Sequence, residues 1–314
     1  MLLLSRAEVE RLLDLPAMLT ALEHGFVEYS AGRCQVPPRV GARSASGIMA
    51  AMPGYVPGPG LEVKLVSVFP GNRERGKPSH QALIAIFDEH HGSPVALMDG
   101  TYITAIRTGG GAAVSVKALA RANASVLAIL GAGVQGRSHL LTVPRVRSFR
   151  EVRVASRNQK HAAALVQQLG RSIPGLRLAA SFEEAVRGAD AVCLCTDAAE
   201  PVIRLSWLAP GCHVSSVGNN AEIGADLVAG SSVFVEWRGA VSSPPPAGAA
   251  ELQGLAPASV TELGEVLSGA RPGRRSETEI TLYKSTGFAV EDAVTAGLVL
   301  ERARKEGVGT EFAF

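Results

Sequence analysis

The stretch Ser125-Val-Leu-Ala-Ile-Leu-Gly-Ala-Gly-Val-Gln-Gly136 decides how this chain is read. An apolar run leads directly into Gly131, Gly133 and Gly136 in G-x-G-x-x-G spacing, and RSHLLTVPRV follows with a helical pattern. Glycine spacing alone is weak, because 34 glycines in 314 residues produce such matches by chance. The order strand, glycine turn, helix is what makes this one specific. The first glycine permits the tight turn, the second lets backbone approach a pyrophosphate, and the third lets helix and strand pack closely. The helix start at Val134 and Gln135 then presents its positive end to the phosphates. A second strand over 152–156 ends about 25 residues after Gly131, near the spacing of a dinucleotide-binding βαβ unit.

The end of that second strand bears on the choice of dinucleotide. An acidic residue there would bind the ribose 2′-hydroxyl of NAD, but the chain reads Ala155-Ser156-Arg157-Asn158, with Lys160 close by. A hydroxyl with Arg and Lys suits a 2′-phosphate, so NADP(H) is the expected cofactor, with NAD(H) as the alternative.

Beyond this unit the pattern keeps alternating, with helices over 161–169 and 182–186 and strands over 178–180, 191–195, 212–217, 232–235 and 279–283. Such alternation predicts a parallel, doubly wound sheet. Upstream the character differs. A strand over 1–4 precedes the capping box Ser5-x-x-Glu8 and a helix to Leu13, and a second helix is capped by Asp14 and ended by Gly32. Residues 36–98 hold short runs of Val, Ile and Leu broken by Pro and Gly, which predicts an antiparallel or mixed sheet. His90 and His91 read as its surface turn. The expected class is α/β: a Rossmann doubly wound domain plus a mixed α+β domain. Gly109, Gly110 and Gly111 are poor helix formers and suggest a helix start lying close to the cofactor. A Pro, Gly and Ser-rich loop covers 242–250, and 290–305 is helical in pattern.

Composition narrows the function. Hydrophobic residues make up 46% of the chain and charged residues 19%, with a mean hydropathy of +0.17, enough to bury a large core. Lys plus Arg number 31 against 29 for Asp plus Glu, so the net charge of +2 gives no broad field for nucleic acid. Cys34, Cys193, Cys195 and Cys212 form no CxxC pair and no zinc spacing, so reduced thiols and no metal site are expected. No window reaches the ~18 apolar residues of a membrane span, and the first residues lack the pattern of a secretory signal. A soluble, cytoplasmic protein is expected.

Three basic residues stand in otherwise apolar or glycine-rich segments outside the dinucleotide unit. Lys64 lies within the strand LEVKLVSVF, Arg107 precedes the three glycines, and Arg39 follows Pro37 and Pro38. As a set they would make a cationic pocket for a small carboxylate.

The blocks VPPRV, EVKLVSVFPGN, ALMDGTYITAIRTGGGAA, ILGAGVQG, SVGNNAEIGADL and KSTGFAVEDA occur in this order, and together they resemble the ornithine cyclodeaminase/mu-crystallin family over nearly the whole chain. The resemblance implies a substrate-binding and dimerisation domain, 1–120 completed by 290–314, and a Rossmann domain over 121–289. It implies that Arg39, Lys64 and Arg107 hold the substrate carboxylate, with Lys64 as a proton donor. Thr108, the glycine turn, Thr196, Val217, Ser285 and Gly287 would surround the cofactor. One departure is notable: Asn220 stands where cyclodeaminases carry an aspartate resembling a catalytic base, and an amide cannot accept that proton. The resemblance therefore implies a homodimeric, NAD(P)H-dependent reductase of a small imino (ketimine) carboxylate, yielding an amino acid. The alternatives it leaves are ornithine cyclodeamination with bound NAD and cofactor binding without turnover.

Overall fold

The hydrophobic periods sort the chain into two sheets suited to different surroundings. The computed structural model describes residues 1–218 and 221–313. Its contacts separate a unit of Met1–Arg107 with the chain from Phe288 onward from a unit of Thr108–Gly287.

In the first unit, β1 (Leu2–Leu4), β2 (Val40–Arg43), β3 (Ile48–Val56), β4 (Gly60–Val68), β5 (His80–Phe87) and β6 (Pro94–Asp99) share one sheet with a terminal strand, Thr310–Glu311. Its order is terminal strand, β1, β6, β5, β4, β3, β2, antiparallel throughout except where β1 joins β6, so the sheet is mixed. Period-two alternation on β4 turns Glu62, Lys64 and Val66 to one face, where they are buried, and Leu61 and Leu65 to the other, where they are exposed. The buried face is covered by the C-terminal helix, Ala289–Glu306, which packs on β3, β4 and α2 (Leu15–Ser30). Two glycines allow this approach. A Cβ on Gly25 would stand 2.9 Å from Val290 Cγ1, and one on Gly54 would stand 2.7 Å from the Ala289 Cβ. Ser5 and Glu8 form the expected capping box of α1 (Arg6–Leu12), and Asp14 caps α2.

In the second unit, β7 (Val126–Leu130), β8 (Glu151–Ala155), β9 (Leu176–Leu178), β10 (Ala191–Leu194), β11 (His213–Val217), β12 (Ser232–Val235), β13 (Thr261–Glu262) and β14 (Thr281–Ser285) form a wholly parallel sheet in the order β13, β12, β14, β11, β10, β7, β8, β9. Strands β7, β10, β11 and β14 are buried at every position; β7 and β10 read as continuous apolar runs, whereas β11 and β14 also bury His213, Ser215, Ser216, Thr281, Lys284 and Ser285. The chain winds outward from β7 through β8 to β9, then returns to place β10 on the other side of β7. The β7/β10 boundary is therefore the switch point at which ligands of such sheets bind.

Several expectations shift. The third strand of the second unit is Leu176–Leu178 rather than 178–180, because Ala180 N is engaged by the Glu184 carboxylate and Ser181 caps the next helix. The strand expected over 279–283 is Thr281–Ser285, which brings Lys284 and Ser285 into the sheet, and a further short strand, Thr310–Glu311, pairs with β1. The three glycines do not open a helix. They lie inside α3 (Gly100–Leu119), where a Cβ on Gly109 would stand 2.8 Å from the Ser138 carbonyl carbon. The smallness of Gly109 serves backbone packing, and the contacts of the chain divide the two units at 107/108, within this helix. All four cysteines are free and buried. Among the described residues no helix is long and apolar enough to cross a membrane, and no group of His, Cys, Asp or Glu could hold a metal ion.

Candidate active site

Each unit holds a cluster of functional groups. In the first, Lys64 on β4 is 1% exposed and its Nζ donates to Asp292 Oδ2 at 2.6 Å. Arg107 on α3 donates from Nε to the other oxygen of Asp292 at 2.9 Å and from Nη1 to Glu291 Oε2 at 2.7 Å. The acceptors stand in the first turn of the C-terminal helix, where its dipole favours negative charge. The expected cationic pocket is thus also lined by carboxylates: two of its basic residues are oriented by an acidic pair that sequence reasoning missed. The quoted block KSTGFAVEDA contained that pair, but its only local signal was two adjacent acids opening an apolar helix.

These contacts set the protonation states. Burial pushes the Lys64 ammonium down to about 8; Asp292 opposes this, while Arg107 and, to a smaller extent, Arg39 reinforce it. Burial alone would raise the Asp292 carboxyl, but Arg107 and Lys64 outweigh it and hold the group below its ordinary range. The two directions are compatible, because Asp292 divides its charge between two cations whereas Lys64 pays the full desolvation of a 1% exposed ammonium. The result is a lysine able to lose its proton near neutrality. Arg39 precedes β2 and is half-buried.

In the second unit the expected dinucleotide residues fall along one edge. Leu130, Ala155, Leu194, Val217 and Ser285 end neighbouring strands, the first three in register with Ser216 and Lys284 and the last two one residue further on, so Gly131, Ser156, Thr196 and Gly287 follow the carboxyl ends of the sheet together. Gly131 has φ +114°, and a Cβ on it would stand 2.4 Å from the Cys195 carbonyl oxygen. A Cβ on Gly136 would stand 2.0 Å from the carbonyl oxygen of Gly131. Gly133 differs: nothing lies within 4 Å of where its Cβ would be. It is also the N-cap of α4 (Val134–Val146) and makes no side-chain cap hydrogen bond, which leaves the positive end of a 13-residue helix over open space. This cradle fits a pyrophosphate. Val134 is 68% exposed, beside it. After β8, Ser156 Oγ accepts from Asn158 N at 3.3 Å and Asn158 caps α5 (Gln159–Leu169), leaving Arg157 and Lys160 exposed. Thr108 is buried. Asn220 lies outside the described residues.

Two buried glutamates brace this edge, and neither was anticipated. Glu222 accepts from the Thr196 N at 3.2 Å and Oγ1 at 2.7 Å, and its second oxygen accepts from Ser216 Oγ at 2.8 Å. Lys284 donates to the same Ser216 at 2.9 Å and to Glu251 at 2.9 Å. Glu236 accepts from the Thr286 N at 2.7 Å and Oγ1 at 3.2 Å. An acid inside an apolar run, as in VFVEW, was the available signal.

Comparison with known proteins agrees with this architecture. Residues 1–307 match the family model described as "Ornithine cyclodeaminase/mu-crystallin family". The ketimine reductase mu-crystallin of Mus musculus is 37% identical over 261 residues, which span 81% of this chain and 80% of the mouse protein. The structure of Thermococcus litoralis Delta(1)-pyrroline-2-carboxylate reductase, in complex with NADH and L-proline, superimposes with a TM-score of 0.92 at 34% identity, covering 99% of this chain and 100% of that one. An archaeal alanine dehydrogenase dimer with bound NAD superimposes with a TM-score of 0.90 at 30% identity, covering 100% and 99%.

Proposed function

Because the chain belongs to the ornithine cyclodeaminase/mu-crystallin family, we propose that it is an NAD(P)H-dependent reductase of a small imino carboxylate, with an amino acid as product. The observation that carries this reading is the buried Lys64–Asp292–Arg107 triad, which offers a carboxylate two oriented cations and a proton from an ammonium titrating near neutrality. Arg107 and Arg39 would hold the substrate carboxylate, and Lys64 would give its proton to the imine nitrogen. The glycine turn, Thr108, Thr196, Val217, Ser285 and Gly287 would hold the dinucleotide, which when bound supplies the hydride. Ser156, Arg157 and Lys160, with no acidic residue among 155–160, support a preference for NADP(H).

The exposed sheet face of the first unit supports a homodimer. Val40, Met49, Leu61, Leu65 and Leu83 are 39–67% exposed, and register places Leu65 opposite Ala51 and Leu83, with Val40 opposite Ala51. Such a contiguous apolar surface suits a second copy.

The test is NADPH oxidation by the purified protein with five- and six-membered cyclic ketimine carboxylates, and with pyruvate or glyoxylate plus an amine. Turnover with any of these is expected. Ammonia release from L-ornithine with bound NAD and no ketimine reduction would replace this reading with cyclodeamination, and tight NADPH binding without turnover would replace it with a binding role.

A further inference from the structure

Glu62 is the most conspicuous group that the proposed reaction does not use. It stands two residues before Lys64 on β4, facing the same side, and is 4% exposed. Both carboxyl oxygens lack a hydrogen-bond partner. Its cross-strand neighbours are Gly54 on β3 and Ile86 on β5, and the Ala289 methyl closes over Gly54 at the start of the C-terminal helix. Nothing in that shell can hydrogen-bond a carboxylate through a side chain. The charged groups bearing on it are Asp292 from the C-terminal helix, Lys64 from its own strand and Arg107 from α3. Glu291 shares Arg107 with Asp292, and Arg39 bears on Lys64.

Both cations already serve Asp292 and Glu291, so an ionised Glu62 would be a buried carboxylate without hydrogen bonds, an expensive state that proteins avoid by protonation. Burial, followed by Asp292, raises its carboxyl well above the ordinary range, against the pull of Lys64 and Arg107. The charge count points the same way. With Glu62 protonated, Lys64 and Arg107 balance Glu291 and Asp292; with Glu62 ionised, the five groups are net negative and oppose an entering carboxylate.

We propose that Glu62 sets the charge of this cluster: it bears a proton in the ligand-free protein and thereby keeps the Lys64–Arg107 site receptive to a carboxylate anion. The proposal rests on the carboxylate-binding reading of Arg39, Lys64 and Arg107. Glu62 is not a catalytic residue here; it acts through the charge it withholds from Lys64 and Arg107.

The test is binding of pyrrole-2-carboxylate to the full-length protein saturated with oxidised dinucleotide, by calorimetry from about pH 6 to about pH 10, for wild type, Glu62→Gln and Glu62→Met. Glutamine mimics the protonated acid, and methionine suits the apolar shell should glutamine fail to fold. Both variants are expected to bind within about twofold of wild type at the acidic end. Wild type should then lose affinity on the alkaline side by up to about tenfold per pH unit as Glu62 gives up its proton, whereas the variants fall only with Lys64. Difference infrared spectra should show a protonated-carboxyl band in wild type that both variants lack. Superimposed affinity profiles, or no such band, would overturn the proposal alone. No binding by wild type at any pH would overturn it together with the carboxylate reading.

Discussion

Lys64 Nζ lies 2.6 Å from Asp292 Oδ2 although 228 positions separate them in the chain, and Asp292 reaches Arg107 with its other oxygen. One carboxylate at the start of the C-terminal helix thus orients two cations that arrive on a strand and on another helix. Neither cation could be held by its own neighbours: the residues flanking Lys64 in the strand sequence are Val63 and Leu65, and those flanking Arg107 are Ile106 and Thr108.

This relationship makes Asp292 testable. Asp292→Asn keeps the shape and removes the shared charge, leaving two buried cations with one carboxylate, and breaking such pairs costs roughly 3–5 kcal/mol. Lys64 would relieve part of that by losing its proton. We expect kcat/KM for a ketimine carboxylate to fall by at least about 100-fold, about 2.7 kcal/mol, with dinucleotide affinity unchanged. Near wild-type kcat/KM would show that Asp292 does not position the site.

The pH dependence has a defined sign. Lys64 is lowered to about 8 in the folded protein, so its ammonium form, which the proposed reaction requires to bind the carboxylate and donate the proton, prevails below that pH and is lost as pH rises through it. A plot of kcat/KM against pH should bend downward near pH 8. An alkaline limb that appears only at the ordinary lysine value of 10.5 would contradict the burial of this group.

Gly133 and Gly131 should separate binding from folding. Gly133→Ala meets no atom within 4 Å and has φ −88°, so the melting temperature should hardly change, while the added methyl enters the phosphate cradle and weakens dinucleotide binding at least about tenfold. Gly131→Ala would place its methyl 2.4 Å from a carbonyl oxygen at φ +114°, and should destabilise the fold by several kcal/mol, roughly 1–3 from overpacking and the rest from backbone strain. Equal effects of the two substitutions on melting temperature would refute the distinction.

Arg157→Asp should move cofactor preference from NADP(H) towards NAD(H), because a carboxylate repels the 2′-phosphate and accepts from the 2′-hydroxyl. Measured as the ratio of the two kcat/KM values, the shift should exceed about tenfold. An unchanged ratio would mean that Arg157 does not meet the ribose.

Leu65→Glu, alone or with Leu83→Glu, places charge at the centre of the exposed apolar face without touching the buried one. Light scattering should report a dimer for wild type and a monomer for the double variant. A double variant that remains dimeric would move the interface elsewhere.

The second unit was largely legible in the sequence. A strand buried on both faces, such as β7, reads as an apolar run, a helix that opens on a phosphate needs glycine at fixed offsets, and the 125–136 stretch carries both signals within twelve consecutive positions. The misplacement of β9 and β14 came from short strands whose limits are set by neighbours: Glu184 takes the Ala180 N, and β11 pairs with β14 as far as Ser285.

The local chemistry of the chain was enough to determine a parallel nucleotide-type sheet, a mixed sheet beside it in the sequence, and Lys64 and Arg107 as cations in unusual company. Tertiary structure alone decided what those cations pair with, that Gly109 serves helix packing, that Gly133 stands open while Gly131 and Gly136 do not, and that Glu62 is stranded without a partner. The physical reason is range. Periodicity, capping and turn chemistry act within a few residues, whereas the energy of a buried charge depends on every group that folding brings around it, from wherever in the chain it comes.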